Sequence, residues 1–386
     1  MRQSSLSTSS SEHPHPERLN RRAFRRQIIV ILLWMIGALV LIDVAVGFAF
    51  RRPVDPQTAP SSLQLYFDYG RSVEGKLLHD IGSTSEQDAA ILKAGWLVKE
   101  CDVSTSTPPG KLGFDIYGMS FSNHIADHME RLDPGLAIHR FAGPAAPPNH
   151  SYACFIRRFE SGRARAPVQV LGILASSMRR METVSGLTTS FEGPQPFTYP
   201  RYSLDTNGHL VGHFPTISSQ NELREALAAP AKWAAFLDDL ATNDAFYERR
   251  IIQADFFDHS VIARMIRRAW GQRVLRERTS KLRAAKGFSG AQDIAPVLRA
   301  MLLDFAGKAR QAGERPIVIL IEDQGYGGSL SAIAASELRA IRVDFVTTSE
   351  IASPDDPGNF LADGHFTPAA DEKIARAVLD LLGRTP

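Results

Sequence analysis

The stretch "PVQVLGILAS", residues 167–176, is almost uninterrupted in its apolar character, and it constrains the fold more than any other part of the chain. A surface helix repeats its apolar residues every three or four positions, and a half-exposed strand alternates. A short continuous run fits a strand covered on both faces, the kind found in parallel sheets with helices on either side. The neighbouring segments agree. "LGFDIYG" (112–118) and "GLAIHRFAG" (135–143) read as strands. Each precedes a segment of helical spacing: 119–132, with Phe121, Ile125, His128 and Met129 in phase, and 149–161, with Tyr152, Ile156 and Phe159. Later come a helix near 291–312, the strand "PIVILIED" (316–323), a helix near 329–339, the strand "IRVDFVTTS" (341–349) and a last helix from 368 to about 383. Strand and helix alternating over short connections predict an α/β fold, a three-layer parallel sheet flanked by helices.

Residues 180–290 break the alternation and read as an insertion over or beside the sheet. "YPRYSLDTNGHLVGHF" (199–214) places Asn-Gly between alternating segments, a hairpin signature. Helical patterns follow near 219–245 and 258–285. Within the second, "RMIRRAWGQRVLRERTSKLR" (264–283) is strongly basic, which fits a solvated helix face or contact with anionic lipid or an acidic polymer. Phe191, Phe197, Tyr199 and Tyr202 form an aromatic group suited to stacking on sugar rings or to packing.

The N-terminus is a different material. Residues 1–26 are Ser-, His-, Pro- and then Arg-rich, as expected of a disordered basic tail. Residues 27–50 contain a 23-residue apolar stretch, "IIVILLWMIGALVLIDVAVGFAF", long enough to cross a bilayer. Asp43 opposes this by roughly 2.5–3.5 kcal/mol, but the eleven Leu, Ile and Val residues between Ile28 and Ile42 contribute roughly −3 to −7 kcal/mol. Five arginines precede the stretch (Arg18, Arg21, Arg22, Arg25, Arg26) and only Arg51 and Arg52 follow closely. The positive-inside rule therefore predicts a signal-anchor in the cytoplasmic membrane, its N-terminus cytoplasmic and the remainder periplasmic or extracellular. No small-x-small cleavage site follows the run, and the Arg-Arg after "RRAF" fits a twin-arginine signal poorly. Residues 51–61 read as a Pro-containing linker, and 62–386 as the globular domain. A net charge of +2 gives no reason to expect nucleic acid as a partner. Cys101 and Cys154 both lie in the exported part, where a disulfide is permitted; a bridge and two separate buried thiols are both open from sequence.

Ligands of an open parallel sheet bind beyond the carboxyl ends of its strands. The first strand leads into "YGMSFSN" (117–123), where Ser120 follows a tight turn at Gly118 and begins a helix. Such a position exposes a hydroxyl and directs backbone N–H groups at what it attacks. The last strand leads into "DGHFTP" (363–368). Thr367 and Pro368 suit a helix start, while Asp363 and His365 are an acid and a base one residue apart. An imidazole oriented by a carboxylate can take the proton of a serine hydroxyl. Ser120, His365 and Asp363 are thus expected on one rim as nucleophile, base and orienting acid.

These residues resemble the SGNH (GDSL-type) hydrolase superfamily, and within it the periplasmic O-acetyltransferase branch that acetylates alginate and similar polysaccharides. The similarity covers residues 110–178 and 315–386. It implies a flavodoxin-like sheet, an acyl-serine intermediate, no cofactor and no metal, and as partners an acyl ester or acyl donor and a polysaccharide acceptor. By the resemblance the backbone of Ser120 and Gly143, in "RFAGPAAPPNH", would form the oxyanion hole. The chain departs from the family pattern in three places. Gly118-Met119-Ser120 stands where Gly-Asp-Ser is common. "LASSM" stands where an asparagine donor is common, leaving Ser176 or Ser177 to substitute. The acid and base are spaced D-x-H, as the acetyltransferase branch tolerates. "ATND" (241–244) looks like the missing block but sits in a helical pattern.

Two other readings use the same residues. His124 and His128, with Asp127, have metal-ligand spacing and would need a third ligand such as His139 or His365; His128 also lies on the apolar stripe, which favours packing. A non-catalytic domain that binds polysaccharide or scaffolds an envelope complex would explain the missing asparagine.

Overall fold

The computed structural model describes residues 21–284, 287–288 and 294–383, so residues 1–20 of the tail expected over 1–26 and the first residues of the helix expected from 291 lie outside the described residues, while residues 21–26 open the first helix. The chain divides into two compact units, Met1–Arg51 and Arg52–Pro386. The first is the helix Arg21–Ala49. From Phe24 to Ala49 it is long and apolar enough to cross a membrane, and none of it is buried against protein. Asp43 falls within it, where the apolar balance still holds.

The second unit is built on five parallel strands: β1 Leu112–Gly118, β2 Leu136–Ala142, β3 Val168–Leu174, β4 Arg315–Ile321 and β5 Asp344–Thr347. Their spatial order is 2-1-3-4-5, so the order of the strands reverses between β1 and β3, the point beyond whose carboxyl ends such sheets bind ligands. β3 and all of β4 after Arg315 are buried, as their continuous apolar sequence predicts. Five helices cover the faces: α1 Ser120–Leu132, α2 Pro148–Glu160, α3 Ile294–Gln311, α4 Ser329–Ala340 and α5 Pro368–Asp380. One core joins Phe114, Ile116, Val170 and Ile319 to α1 and α5. Another joins Tyr117, Leu171, Ile173 and Leu320 to α2, α3 and α4. Consecutive strand residues thus feed opposite cores, the expected consequence of the two-residue strand period.

The insertion contains the expected hairpin, Arg201–Leu204 paired with Leu210–His213. The helix expected over 219–245 is two, Gln220–Ala228 and Pro230–Asn243. Pro230 has no N–H to continue the ladder and disfavours helical backbone at Ala229, which is extended. The basic segment is the helix Val261–Leu282. Phe191, Phe197, Tyr199 and Tyr202 are buried, so the stacking role weighed for them is corrected to packing: the first three fill a core shared with Val73, Leu77 and Trp96.

Residues 62–101 carried no element in the sequence reading, because their helices are too short to display a period. They form Ser62–Asp68, Val73–Asp80 and Leu97–Cys101, among others. Buried charges fasten them to the insertion: Arg264 binds Asp68 at 2.7 Å, and Asp258 accepts from the Ser72 backbone at 2.8 Å and hydroxyl at 2.5 Å. Cys101 is joined by a disulfide to Cys154 of α2.

Candidate active site

The placement of Ser120 begins with two glycines. Gly118 ends β1 and Gly172 lies in the adjacent β3, and a Cβ at either would fall 2.2 Å from the Ser122 hydroxyl. With no side chains there, the first turn of α1 sits tight against the sheet. Met119 is extended and gives the helix no side-chain cap, so the first backbone N–H groups of α1 keep their free donor capacity. Ser120 is the first helical residue.

The Ser120 Oγ lies 2.7 Å from His365 Nε2, across 245 residues of sequence. The imidazole is fixed by its surroundings. Phe121 packs on it with ring centroids 4.8 Å apart, and His124 lies 5.0 Å away. The Phe360–Phe366 bridge closes the loop below, and Leu361 N–H donates to the His365 carbonyl at 2.7 Å. Gly364 has φ +87°, a left-handed conformation that favours glycine and makes the turn between acid and base possible. Thr367 caps α5 through Ala370 N–H, with Pro368 at its first position. "DGHFTP" is both a helix start and the seat of the imidazole that meets Ser120.

Asp363 accepts the backbone N–H of His365 at 3.1 Å, and its other oxygen lies 3.1 Å from Nδ1. That second approach is oblique: Nδ1 is buried and makes no aligned hydrogen bond. The carboxylate side chain is 66% exposed. The His365 backbone N–H, and then its imidazole, hold the Asp363 carboxyl below the usual carboxylate range.

The remaining expected residues divide. Gly143 follows β2, and the His150 ring covers it so closely that a Cβ would approach to 3.0 Å. Ser176 and Ser177 follow β3, and one donor of each is engaged. Ser176 N–H donates to Asp323 at 3.0 Å, and the buried Ser177 hydroxyl donates to the Leu174 carbonyl at 2.8 Å. The hydroxyl of Ser177, weighed with Ser176 as a substitute for the asparagine donor, thus already has an acceptor. Its Oγ is close enough to the last strand carbonyl to satisfy it locally. "ATND" ends a helix far in sequence from the rim, and the buried Asp244 there accepts from Val184 N–H and the Thr188 hydroxyl.

Two residues in this region were not singled out. Arg180, after β3, is buried; its guanidinium donates to the Ala145 carbonyl at 2.8 Å, Gln195 at 2.9 Å and Ser190 at 2.6 Å. No carboxylate pairs with it among the described residues, and burial lowers its pKa. It ties the turn after β3 to the loop after β2, where Ala145 has φ +49°. His150, buried and bonded to the Gly95 carbonyl at 2.8 Å, has its pKa pushed down to about 4 by burial and is neutral near pH 7. Its presence in "PPNH" was visible; its contact with Gly143 depends on a loop turn that has no sequence signature.

For metal chemistry, no group of three or more His, Cys, Asp and Glu residues among those described is disposed to hold an ion. His139 pairs with Asp115 at 2.8 Å, and His128 is buried on α1. No protein-family model matches the chain, and no curated protein matches it in sequence.

Chemically, the arrangement holds a hydroxyl against a ring nitrogen beyond the carboxyl end of β1, beside the first backbone N–H groups of α1. That can generate an alkoxide-like nucleophile and stabilise the oxyanion it creates.

Proposed function

We propose that this chain is a membrane-anchored, extracytoplasmic serine enzyme of acyl esters. It would transfer an O-acetyl group to, or remove one from, an envelope or exported polysaccharide. The observation that carries the reading is the 2.7 Å contact between Ser120 Oγ and His365 Nε2. The 2-1-3-4-5 strand order, shared with flavodoxin-like sheets, and the D-x-H spacing support the resemblance to SGNH enzymes.

In this reading His365 takes the Ser120 proton as Oγ attacks the acyl carbonyl. The N–H groups of Ser120 and Gly143 receive the developing oxyanion. His365 then returns the proton to the departing alcohol, leaving acyl-Ser120. Water or a sugar hydroxyl, deprotonated by the same imidazole, completes hydrolysis or transfer. The anchor and its flanking arginines support a cytoplasmic N-terminus with the enzyme on the other side.

A second reading, a non-catalytic polysaccharide-binding domain, is favoured by the engagement of Ser176 and Ser177 with Asp323 and Leu174. Acetate release from a chromogenic acetyl ester, with and without an oligosaccharide acceptor, separates the two. Serine-dependent turnover that is lost in Ser120→Ala establishes the nucleophile, and acetylated sugar selects transfer. A folded wild type with no turnover selects the binding role.

A further inference from the structure

The basic helix Val261–Leu282 and the turn before it display an apolar surface that the catalytic reading does not use. Phe256 is 74% exposed and Ile266 is 68% exposed. Phe256 and Phe257 pack ring to ring at 4.1 Å, and Phe257, Ile266 and Trp270 share a cavity of about 290 Å³ with Arg250. Large apolar groups this open, gathered in one patch, mark a binding surface rather than scattered surface residues.

The same segment is highly cationic. Residues 249–283 contain ten Lys and Arg against three acids. Some of these charges face inward, with Arg264 on Asp68 and Arg267 on Asp255 and Asp258. Arg250, Arg273 and Arg276 are exposed and have no carboxylate partner among the described residues. Aromatic and branched apolar side chains flanked by free cations are the composition of a surface that lies in a bilayer interface.

Chain connectivity identifies the occupant. The apolar helix ends at Ala49, and Arg52 follows three residues later, a reach of at most ~10 Å. Arg52 is bonded to Asp80 at 2.7 Å and Asp68 at 3.3 Å, and Asp68 is bonded to Arg264 of the basic helix. If the apolar helix spans a membrane, this short connection tethers the unit that carries the basic helix to a membrane surface. Arg268 of the basic helix also lies over Tyr66 and Tyr69, in and just after the helix Ser62–Asp68, at 5.3 and 4.7 Å.

We propose that the face bearing Phe256, Phe257 and Ile266 docks on the surface of an anionic bilayer, holding the domain against the membrane. The proposal rests on the anchor reading and not on the catalytic one. An acidic polysaccharide, which the cations alone would also attract, gives no role to three exposed apolar side chains.

The test uses the full chain reconstituted in vesicles of phosphatidylcholine with and without phosphatidylglycerol. Both native cysteines are in the disulfide, so Phe256→Cys, and Lys373→Cys on exposed α5 as a control, each carry one reactive thiol for an environment-sensitive fluorophore. Flotation with the vesicles first reports on the anchor. The expected result is a blue-shifted label at 256, quenched several-fold more than that at 373 by a lipid-borne quencher, with the difference shrinking when phosphatidylglycerol is omitted. A second variant labelled at 256, with Phe257→Ser and Ile266→Ser, should lose most of that quenching while still floating. Equal quenching at 256 and 373 in a chain that floats overturns the docking surface and leaves the anchor standing. Shielding of the 256 label by an added soluble polyanion but not by lipid overturns it in favour of a polymer. A chain that does not float overturns both.

Discussion

On the proposed catalytic reading, replacing Gly118 with alanine should slow ester turnover through a displacement whose size can be worked out. A Cβ at 118 would lie 2.2 Å from Ser122 Oγ and 2.7 Å from Ser122 Cβ. The hydroxyl can rotate away, but the Cβ moves only with the helix backbone. Ordinary contact begins near 3.4 Å, so the first turn of α1 must withdraw by about 0.7 Å. Ser120 shares that turn, and its 2.7 Å contact with His365 would lengthen to about 3.4 Å, past a useful hydrogen bond. Misplacement by about 1 Å costs on the order of 10²-fold in rate, so kcat should fall roughly 10- to 100-fold. Overpacking costs about 1–3 kcal/mol, which leaves a domain of this size folded.

Gly172→Ala is the matched control. Its Cβ would meet the same hydroxyl at 2.2 Å but lies 3.4 Å from Ser122 Cβ, so a rotamer change suffices and the rate should stay near wild type. Gly118→Ala combined with Ser122→Gly removes the clash and should recover most of the loss, against about 1 kcal/mol for glycine in the helix. Acetyl-ester turnover and thermal melts on the four proteins are the assay. Full activity in Gly118→Ala, equal damage from Gly172→Ala, or a double variant no better than the single would each refute the claim that the seating of α1 sets the nucleophile.

His365→Ala should abolish turnover with little change in Tm, as should Ser120→Ala, by the same ester assay. Asp363→Asn should cost clearly less than the roughly 10⁴-fold typical of a buried triad acid, because Asp363 is open to solvent and meets Nδ1 obliquely; comparison of kcat in the two proteins measures it. Asp371 at the start of α5 is buried, has one oxygen without a partner, and has its pKa pushed up to about 7 by burial. The folded state therefore holds a proton that the unfolded state releases near pH 4, and the group costs more stability as pH rises from about 4 to about 7. Asp371→Asn should show a Tm advantage over wild type that grows across that window and levels off above it. The Cys101–Cys154 bridge closes 53 residues of sequence, and chain-entropy arguments assign such a loop about 4 kcal/mol; reduction or Cys154→Ser should lower Tm by an amount consistent with a loss of that order.

The parallel sheet was legible because its strands are buried on both faces and so advertise themselves as continuous apolar runs, Val168–Leu174 and Arg315–Ile321 above all. The helices of the sheet layers were legible from period alone. The two-helix form of 220–243 depended on one residue, Pro230, whose effect on Ala229 outweighed an apolar period that continues across it. Residues 62–101 were silent for a different reason: helices of four to eight residues cannot show a 3.6-residue repeat, and what holds them is long-range, Asp68 to Arg264 and Ser72 to Asp258. Charged residues read singly as surface, and their pairing across nearly 200 residues is invisible until the fold brings them together.

The site divides along the same line. Ser120 and His365 could be placed on one rim because Ser120 directly follows β1 and the long loop after β5 carries His365, so topology brings together residues 245 apart. The oxyanion side could not be placed that way. Whether Gly143 presents its N–H depends on the loop 143–148, and that loop is shaped by His150 against the glycine and by Arg180 on the Ala145 carbonyl. A buried guanidinium with three neutral acceptors and no carboxylate is costly to keep, and here it spans the loops that follow β2 and β3. Arg180→Lys cannot reproduce a fork reaching Ala145, Gln195 and Ser190 together. If those contacts set the Gly143 N–H, Arg180→Lys should lower kcat with KM nearly unchanged, since a donor to the oxyanion acts on the transition state and not on the bound ester. A rise in KM with kcat intact would instead assign Arg180 to shaping the substrate cleft.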